Sequence, residues 1–573
     1  MDQRVIELFD DLNMIELLPN LAEQGVNKYS FLMYVDDEVM DACGFSSAQK
    51  SKFLENQPPN PRSTASSPVR APVAHTQQTA VAAAGAVPSI QELIRILRTG
   101  NDDSKSQAAQ SLACLARDNS ARVEIAQAGA VEPLVQLLQT GTPAGKAHAA
   151  KALKMLAHNK AIKVAIADAD AVEPLVKLLQ NGCVNGKTQA AGALKMLASV
   201  DEIKISIVRA NALVPLVQFL SSRDIQGLTQ AVGALIVLAS NNSDHQTKIA
   251  EAGAMQTLVQ LFNISNNNIN MQAAHALGVL AFNSVRNQLA IADAGAVPPL
   301  VELLRTGIPS GKLRAAEALG NLACHNNNKV MISRANSIDP LVSLLENGDA
   351  QGKCAAAGAL KNLVFNNNEN QIKAQSAGAI ALLVQLLNST DTAGKKQAAG
   401  ALSNLSFNCV ANANLIMGEG AAAPLVDLLK NSDAEGKVLA SEALKNLAYN
   451  NTDHQLTILR AGAIEPLVHL LRNGNPEGMT QAVKALDNLA YNNADVKRRI
   501  EGSGALEPLV QLLTNGTVAG KSHAARVIGS LASENDLHDA IVKAGAVEAL
   551  ALLVSSGDTE GAKAAKKALK RLP

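Results

Sequence analysis

A run that opens with Gly-Lys and closes with Asn recurs along this chain. GKLRAAEALGNLACHN occupies 311–326, GKCAAAGALKNLVFNN 352–367, GKKQAAGALSNLSFN 394–408 and GKVLASEALKNLAYNN 436–451. Looser copies start at Gly145, Gly186, Gly478 and Gly520. A second marker fixes the period. An AGA-type tripeptide followed by an apolar run, as in AGAVEPLVQLL at 128–138, has its central residue at 85, 129, 170, 211, 253, 295, 336, 378, 420, 462, 504 and 545. The steps are 41 or 42 residues, with one of 44. Helical units of about 40–47 residues stack into solenoids, where each packs only on its neighbours. A chain of 573 residues exceeds what one compact core supports, and stacking removes that limit.

Each unit reads as three helices. A short one ends near the AGA marker, as in VKRRIEG at 496–502. The second carries Pro in its first turn, as at Pro133, where the missing N–H would have no intrahelical partner. A Gly/Asn/Ser turn then leads into the third, which carries the Gly-Lys run. Three helices in a 42-residue unit, with a Gly kink between the first two, resemble the armadillo repeat over residues 81–573. The resemblance implies an all-α, right-handed superhelical solenoid of about twelve three-helix repeats.

With the Asn of ALxNLA as position zero, positions −2 and +1 are nearly always Leu and face the core: Leu319 and Leu322, Leu360 and Leu363, Leu402 and Leu405. At ~100° per residue, positions −7, −4, 0 and +3 share the opposite stripe. In armadillo proteins that stripe lines the concave groove. Position zero reads Cys114, Met155, Met196, Val237 and Val279, then Asn321, Asn362, Asn404, Asn446 and Asn488, then Ser530 and Arg571. Position +3 carries Phe282, Phe365, Phe407, Tyr449 and Tyr491. Position −7 supplies Arg314, Gln397 and Gln481.

An Asn side chain offers a donor and an acceptor, so one per repeat can satisfy the backbone of an extended peptide. The same Asn can instead bond the backbone of its own or the adjacent repeat and fix the superhelix. The aromatic column likewise reads either as a hold on partner side chains or as packing between repeats. The candidate peptide-binding set is Asn321, Asn362, Asn404, Asn446, Asn488, Phe365, Phe407, Tyr449, Tyr491, Arg314, Gln397 and Gln481. Importin-α-type armadillo proteins place Trp at −4 to clamp basic cargo. Here those positions are Glu317, Gly358, Gly400, Glu442 and Lys484, and the chain has no Trp. The nearer resemblance is to vacuolar and plant-type armadillo adaptors, although no U-box is recognisable. The resemblance therefore implies a non-enzymatic scaffold that binds protein segments in the groove. The alternatives are an importin-like transport receptor and an accessory subunit of a ubiquitin ligase or kinase.

The first 57 residues differ from the rest. They hold six of the thirteen aromatics and four Lys/Arg against eleven Asp/Glu. LNMIELLPNLAEQGVNKYSFLMY, then DDEVMDACGFSSAQKSKFLE with its Cys43-Gly44-Phe45 step, resemble a SAM domain, a small helical bundle. The resemblance implies homo- or hetero-oligomerisation through residues 1–57. Residues 58–80 are a Pro/Ser/Thr/Ala stretch that cannot bury a core and reads as a disordered linker.

Zero net charge and 2% aromatics argue against nucleic acid as a partner. The six Cys form no CxxC pair and read as reduced, semi-buried thiols. No run of 18 apolar residues appears, and the start lacks a basic-then-apolar leader. Together these point to a cytoplasmic or nuclear protein without membrane insertion. GCVNGKT at 182–188 and GTVAGKS at 516–522 resemble phosphate loops but have three residues between the glycines where four are needed. Cys324-His325 lacks a second ligand pair. No catalytic, cofactor or metal residues are assigned.

Overall fold

The computed structural model describes residues 88–555 and 559–572. The SAM-like segment 1–57, the linker 58–80 and Cys43 lie outside the described residues. So do 81–87, with the first AGA marker. The described residues form 35 α-helices and no strand. The pair Ile90–Thr99 and Asp102–Leu115 comes first, and the remaining helices follow in threes, as in Asn368–Ser376, Ala379–Leu387 and Thr392–Ser406.

The AGA marker works through its central residue. That residue has positive φ at Gly129, Asp170, Asn211, Gly253, Gly295, Asn336, Gly378, Gly420, Gly462, Gly504 and Gly545. A left-handed residue ends the first helix and turns the chain into the second, and Gly, Asn and Asp tolerate it best. A second left-handed column follows several third helices, at Asn241, Asn283, Asn366, Asn408, Asn450 and Asn492. This accounts for the doubled Asn of FNN and YNN. The first Asn makes the turn. The second, as at Asn367 and Asn451, caps the next helix by accepting from its third backbone N–H.

The Gly-Lys signature has a capping role. Asp349 and Thr517 accept from the N–H of Gly352 and Gly520 at 2.7 and 3.0 Å. Cys183 Sγ accepts from Gly186 N–H at 3.4 Å. In both phosphate-loop look-alikes this Gly N–H is thus engaged by the helix cap, and the loop joins helix to helix rather than strand to helix.

Second helices bury their Leu and Val stripe, as at Leu134, Leu137 and Leu138. Third helices bury Ala and Leu, with Ala315, Ala318, Leu319 and Leu322 fully enclosed. Small residues let successive third helices come very close. A Cβ on Gly320 would sit 3.1 Å from Ala359 Cα, and one on Gly529 3.2 Å from Ala568 Cα. Third helices make most of the contacts between successive units, second helices fewer and first helices fewest. A stack packed tightly along one row and loosely along the other bends toward the tight row. The third helices therefore line its concave side.

Two sequence readings are corrected. Cys114, Cys183 and Cys324 are exposed rather than semi-buried, because they sit at or beside helix ends. The aromatics at +3 do not continue the helical stripe. The helices end one residue earlier, and Phe365, Phe407, Tyr449 and Tyr491 are C-cap residues with extended backbone.

A buried polar column, missed in the sequence, locks several first helices to the third helix before them. Asn287, Asn370 and Asn412 donate to the carbonyls of Leu280, Leu363 and Leu405, each at 2.9 Å. His245 and His454 occupy the same place on Leu238 and Leu447. Asn412→Ala is expected to destabilise the protein by about 1–3 kcal/mol, the cost of a buried carbonyl left unpaired. Asn450→Gly should be nearly neutral, and Asn450→Val should cost about 1–2 kcal/mol at its left-handed backbone. Midpoints of urea unfolding for the three variants check the order.

Candidate peptide-binding groove

The five ladder Asn side chains each donate one amide N–H to the third helix of the preceding unit. Nδ2 of Asn321, Asn362, Asn404, Asn446 and Asn488 bonds the carbonyls of Gly278, Gly320, Lys361, Ser403 and Lys445 at 2.9–3.0 Å. Each acceptor lies in the last turn of its helix, where carbonyls have no intrahelical partner. Asn446 also bonds Ser403 Oγ at 3.0 Å. All five side chains are half-buried, and none of the five Oδ1 atoms accepts a hydrogen bond from a described residue.

The helix Thr392–Ser406 shows the full accounting for such an end. Ser403 O accepts from Asn446 of the next unit, and Leu405 O from Asn412. Asn404 O accepts from Gln371 Nε2 at 2.8 Å, and Ser406 O from the Cys409 N–H at 3.2 Å. Gln246 and Gln455 play the part of Gln371 in their own units. Sequence reasoning missed these first-helix Gln residues, whose only signal is their place four residues after the helix cap.

The aromatic column has a structural correlate of its own. Where +3 is polar, it bonds back to its own helix end. His158 and Ser199 reach the carbonyls of Met155 and Met196 at 2.9 Å, and Ser240 reaches Ile236 at 2.7 Å. Where +3 is Phe282, Phe365, Phe407 or Tyr449, the ladder Asn of the next unit bonds the carbonyl one residue before position zero, the place that Ser240 reaches in its own unit. The rings themselves are 42–62% exposed, so they do little packing between repeats. Lys329, otherwise buried, holds Phe365. Its ammonium donates to Phe365 O at 2.9 Å and lies 5.0 Å from the ring centre. Burial pushes that ammonium below the usual lysine range, and Cys324 offsets part of the shift.

Three cavities run along this face. Arg314, Gln397, Asn321 and Asn362 share one of about 620 Å³. Phe365, Asn362 and Asn404 share one of about 380 Å³. Phe407, Tyr449, Asn446 and Asn488 share one of about 720 Å³. Tyr491 and Gln481 line none of the three, and Gln481 Oε1 is enclosed without a hydrogen-bond partner. Arg314 pairs with Glu317 at 2.8 Å, and Gln397 Oε1 accepts from Lys361 Nζ at 2.7 Å. Burial and Arg314 hold His275, in the first cavity, below the usual imidazole range, against a smaller opposing effect of Glu317. Among the described residues no His/Cys/Asp/Glu group could hold a metal, and no helix is long and apolar enough to cross a membrane.

A search of curated proteins finds no match. Among solved structures, the crystal structure of an engineered protein from the Northeast Structural Genomics Consortium matches at 34% identity, with a TM-score of 0.64. The match covers 70% of this chain and 98% of that one. The family model described as an armadillo/beta-catenin-like repeat matches residues 284–324. The model described as the plant U-box protein ARM repeat region matches residues 89–282 and 325–572. With these matches over most of its length, the chain belongs to the armadillo-repeat proteins, in the family of the plant U-box protein ARM repeat region.

Proposed function

We propose that the chain is a non-enzymatic scaffold of about twelve repeats whose concave face binds an extended segment of a partner protein. The observation that carries this is the row of exposed aromatic rings beside Asn side chains whose Oδ1 atoms are open. Anchoring one N–H to the preceding helix does not exhaust an Asn. It orients the side chain and leaves the Oδ1 acceptor for a peptide backbone N–H, with a second N–H also left at Asn321, Asn404 and Asn488. Structural and binding roles thus coexist in the same residue. The partner site spans the third helices from Pro309–Leu322 to Pro476–Ala490.

A photo-crosslinking amino acid at Phe407 or Tyr449 is expected to capture partner segments from cell extract. The same group at Val214 or Ile372, exposed on a second and a first helix, should capture far less. Phe407→Ser with Tyr449→Ser should weaken the captured segment by ~1 kcal/mol per ring or more, with the unfolding midpoint unchanged. Asn404→Ala with Asn446→Ala should lower both affinity and midpoint, by roughly 1 kcal/mol per residue in binding. Full affinity after loss of both rings would remove the groove as the partner site.

The segment 1–57, with its SAM-like pattern and acidic composition, is proposed as a second module that self-associates or recruits another protein. Light scattering at tens of micromolar should give the full chain a higher mass than a chain beginning at residue 81. Equal, monomeric masses would overturn this.

A further inference from the structure

The 720 Å³ cavity differs from the other two in charge. Four basic side chains from three successive third helices line it: Lys445, Lys484, His523 and Arg526. No Asp or Glu is among its lining residues. The other two cavities each include one acid, Glu317 with Arg314 and Lys361 in one and Glu442 with Lys329 and Lys361 in the other.

Asp487 organises one side of the cluster. Its carboxylate is 5% exposed, accepts from His523 Nδ1 and forms an ion pair with Arg526 Nε, each at 2.8 Å. This fixes both side chains and leaves the terminal nitrogens of Arg526 without a partner among the described residues. On the other side, the ammonium groups of Lys445 and Lys484 form no ion pair or hydrogen bond among the described residues. Burial pushes Lys445 below the usual lysine range. Glu442 offsets part of that, and Lys484 adds to it. Two like charges held half out of water are stabilised by an anion placed between them. Lys396 shows the opposite case on the same chain, because Asp433 and Glu435 already neutralise it.

We infer that this end of the groove is an anion subsite that takes an acidic side-chain group, carboxylate or phosphoryl, from the partner segment. The inference rests on the groove reading above and adds its chemistry. Asn446 and Asn488 engage the peptide backbone, Phe407 and Tyr449 flank it, and the basic cluster selects its charge. The selected segment is acidic, the reverse of what a receptor for basic cargo needs. A nucleic acid is the other polyanion. Concentration of Lys445, Lys484 and Arg526 in one cavity without a lining acid, in a chain of zero net charge, favours a peptide.

The test uses the full chain and fluorescence anisotropy. The probes are a labelled peptide alternating Glu and Ala, its counterpart with phosphoserine for Glu, and one with Lys for Glu. Inorganic phosphate and oligothymidine serve as competitors. The acidic probes should bind, weaken with salt and outbind the Lys probe. Their ranking separates carboxylate from phosphoryl selection, and competition by inorganic phosphate at millimolar level supports the latter. Lys445→Gln with Lys484→Gln should lower acidic-probe affinity roughly tenfold. Neither lysine has an ion pair or hydrogen bond to lose among the described residues, so folding should hold. Lys445→Arg with Lys484→Arg should restore binding. Lys151→Gln with Lys195→Gln, third-helix cations of the N-terminal half, should change it less than about twofold. Equal loss in both Gln pairs, or stronger binding of oligothymidine than of either acidic probe, would overturn the inference. If segments captured at Phe407 and Tyr449 carry no Asp, Glu or phosphoserine, the subsite fails while the groove stands. If nothing is captured there, the groove reading itself fails.

Discussion

A helix that ends inside a packed array must find donors for its last carbonyls, and this protein meets that demand mainly by borrowing from neighbouring helices. The third helix is enclosed by its own second helix and by the third helices on either side, so water cannot serve its buried carbonyls. Donors come from the next first helix at Asn412 and the next third helix at Asn446. Gln371, from the first helix of the same unit, supplies another. Each of these bonds crosses between helices, and two cross between repeats. Capping and stacking are therefore one interaction. A unit removed from the array would lose the donors for its own helix end along with its apolar neighbours.

This constraint explains which parts of the structure were legible in the sequence. The period, the Leu positions and the left-handed marker are local properties. A backbone turn at Gly129 or Asn336 is chosen by that residue alone, and the alternation of buried Leu319 and Leu322 follows from one helix. The partner of Asn404 is not local. Its amide reaches Lys361 O, 43 residues earlier, only because the stacking offset nearly equals one period. The pattern could identify the column but not decide between backbone and ligand. The buried Asn column was hidden for the same reason, and for another: Asn370 lies in a run of Asn where each residue does something different. Asn366 turns, Asn367 caps and Asn370 reaches back. Likewise, the aromatic rings leave the helical stripe because the helix stops at the residue before them.

The two halves of the concave face solve the same end-capping problem differently. In the N-terminal half, Met155 and Met196 fill position zero, and a His or Ser at +3 folds back onto its own helix end. That solution is self-contained, and it consumes the +3 side chain. In the C-terminal half the donors are the ladder Asn of the following repeat and first-helix Gln residues of the same unit, such as Gln371 and Gln455, and +3 is released from capping. The released position is filled by Phe or Tyr and left exposed. Capping by the ladder Asn together with the first-helix Gln is what leaves room for an aromatic column.

The basic cavity extends this logic to charge. Asp487 sits at position −1 of its helix, where other units carry Gly320, Lys361, Ser403 or Lys445. A lone buried carboxylate there would be costly, since desolvation penalises its charged form. The following repeat supplies two compensating groups, His523 and Arg526, just as it supplies the capping Asn elsewhere. Once the carboxylate has fixed them, both side chains are committed to that surface. The nearest remaining cations, Lys445 and Lys484, must then share the cavity without an acid of their own. Spending the acid on positioning leaves the cavity with an excess of positive charge that only a partner from outside the repeats described can neutralise.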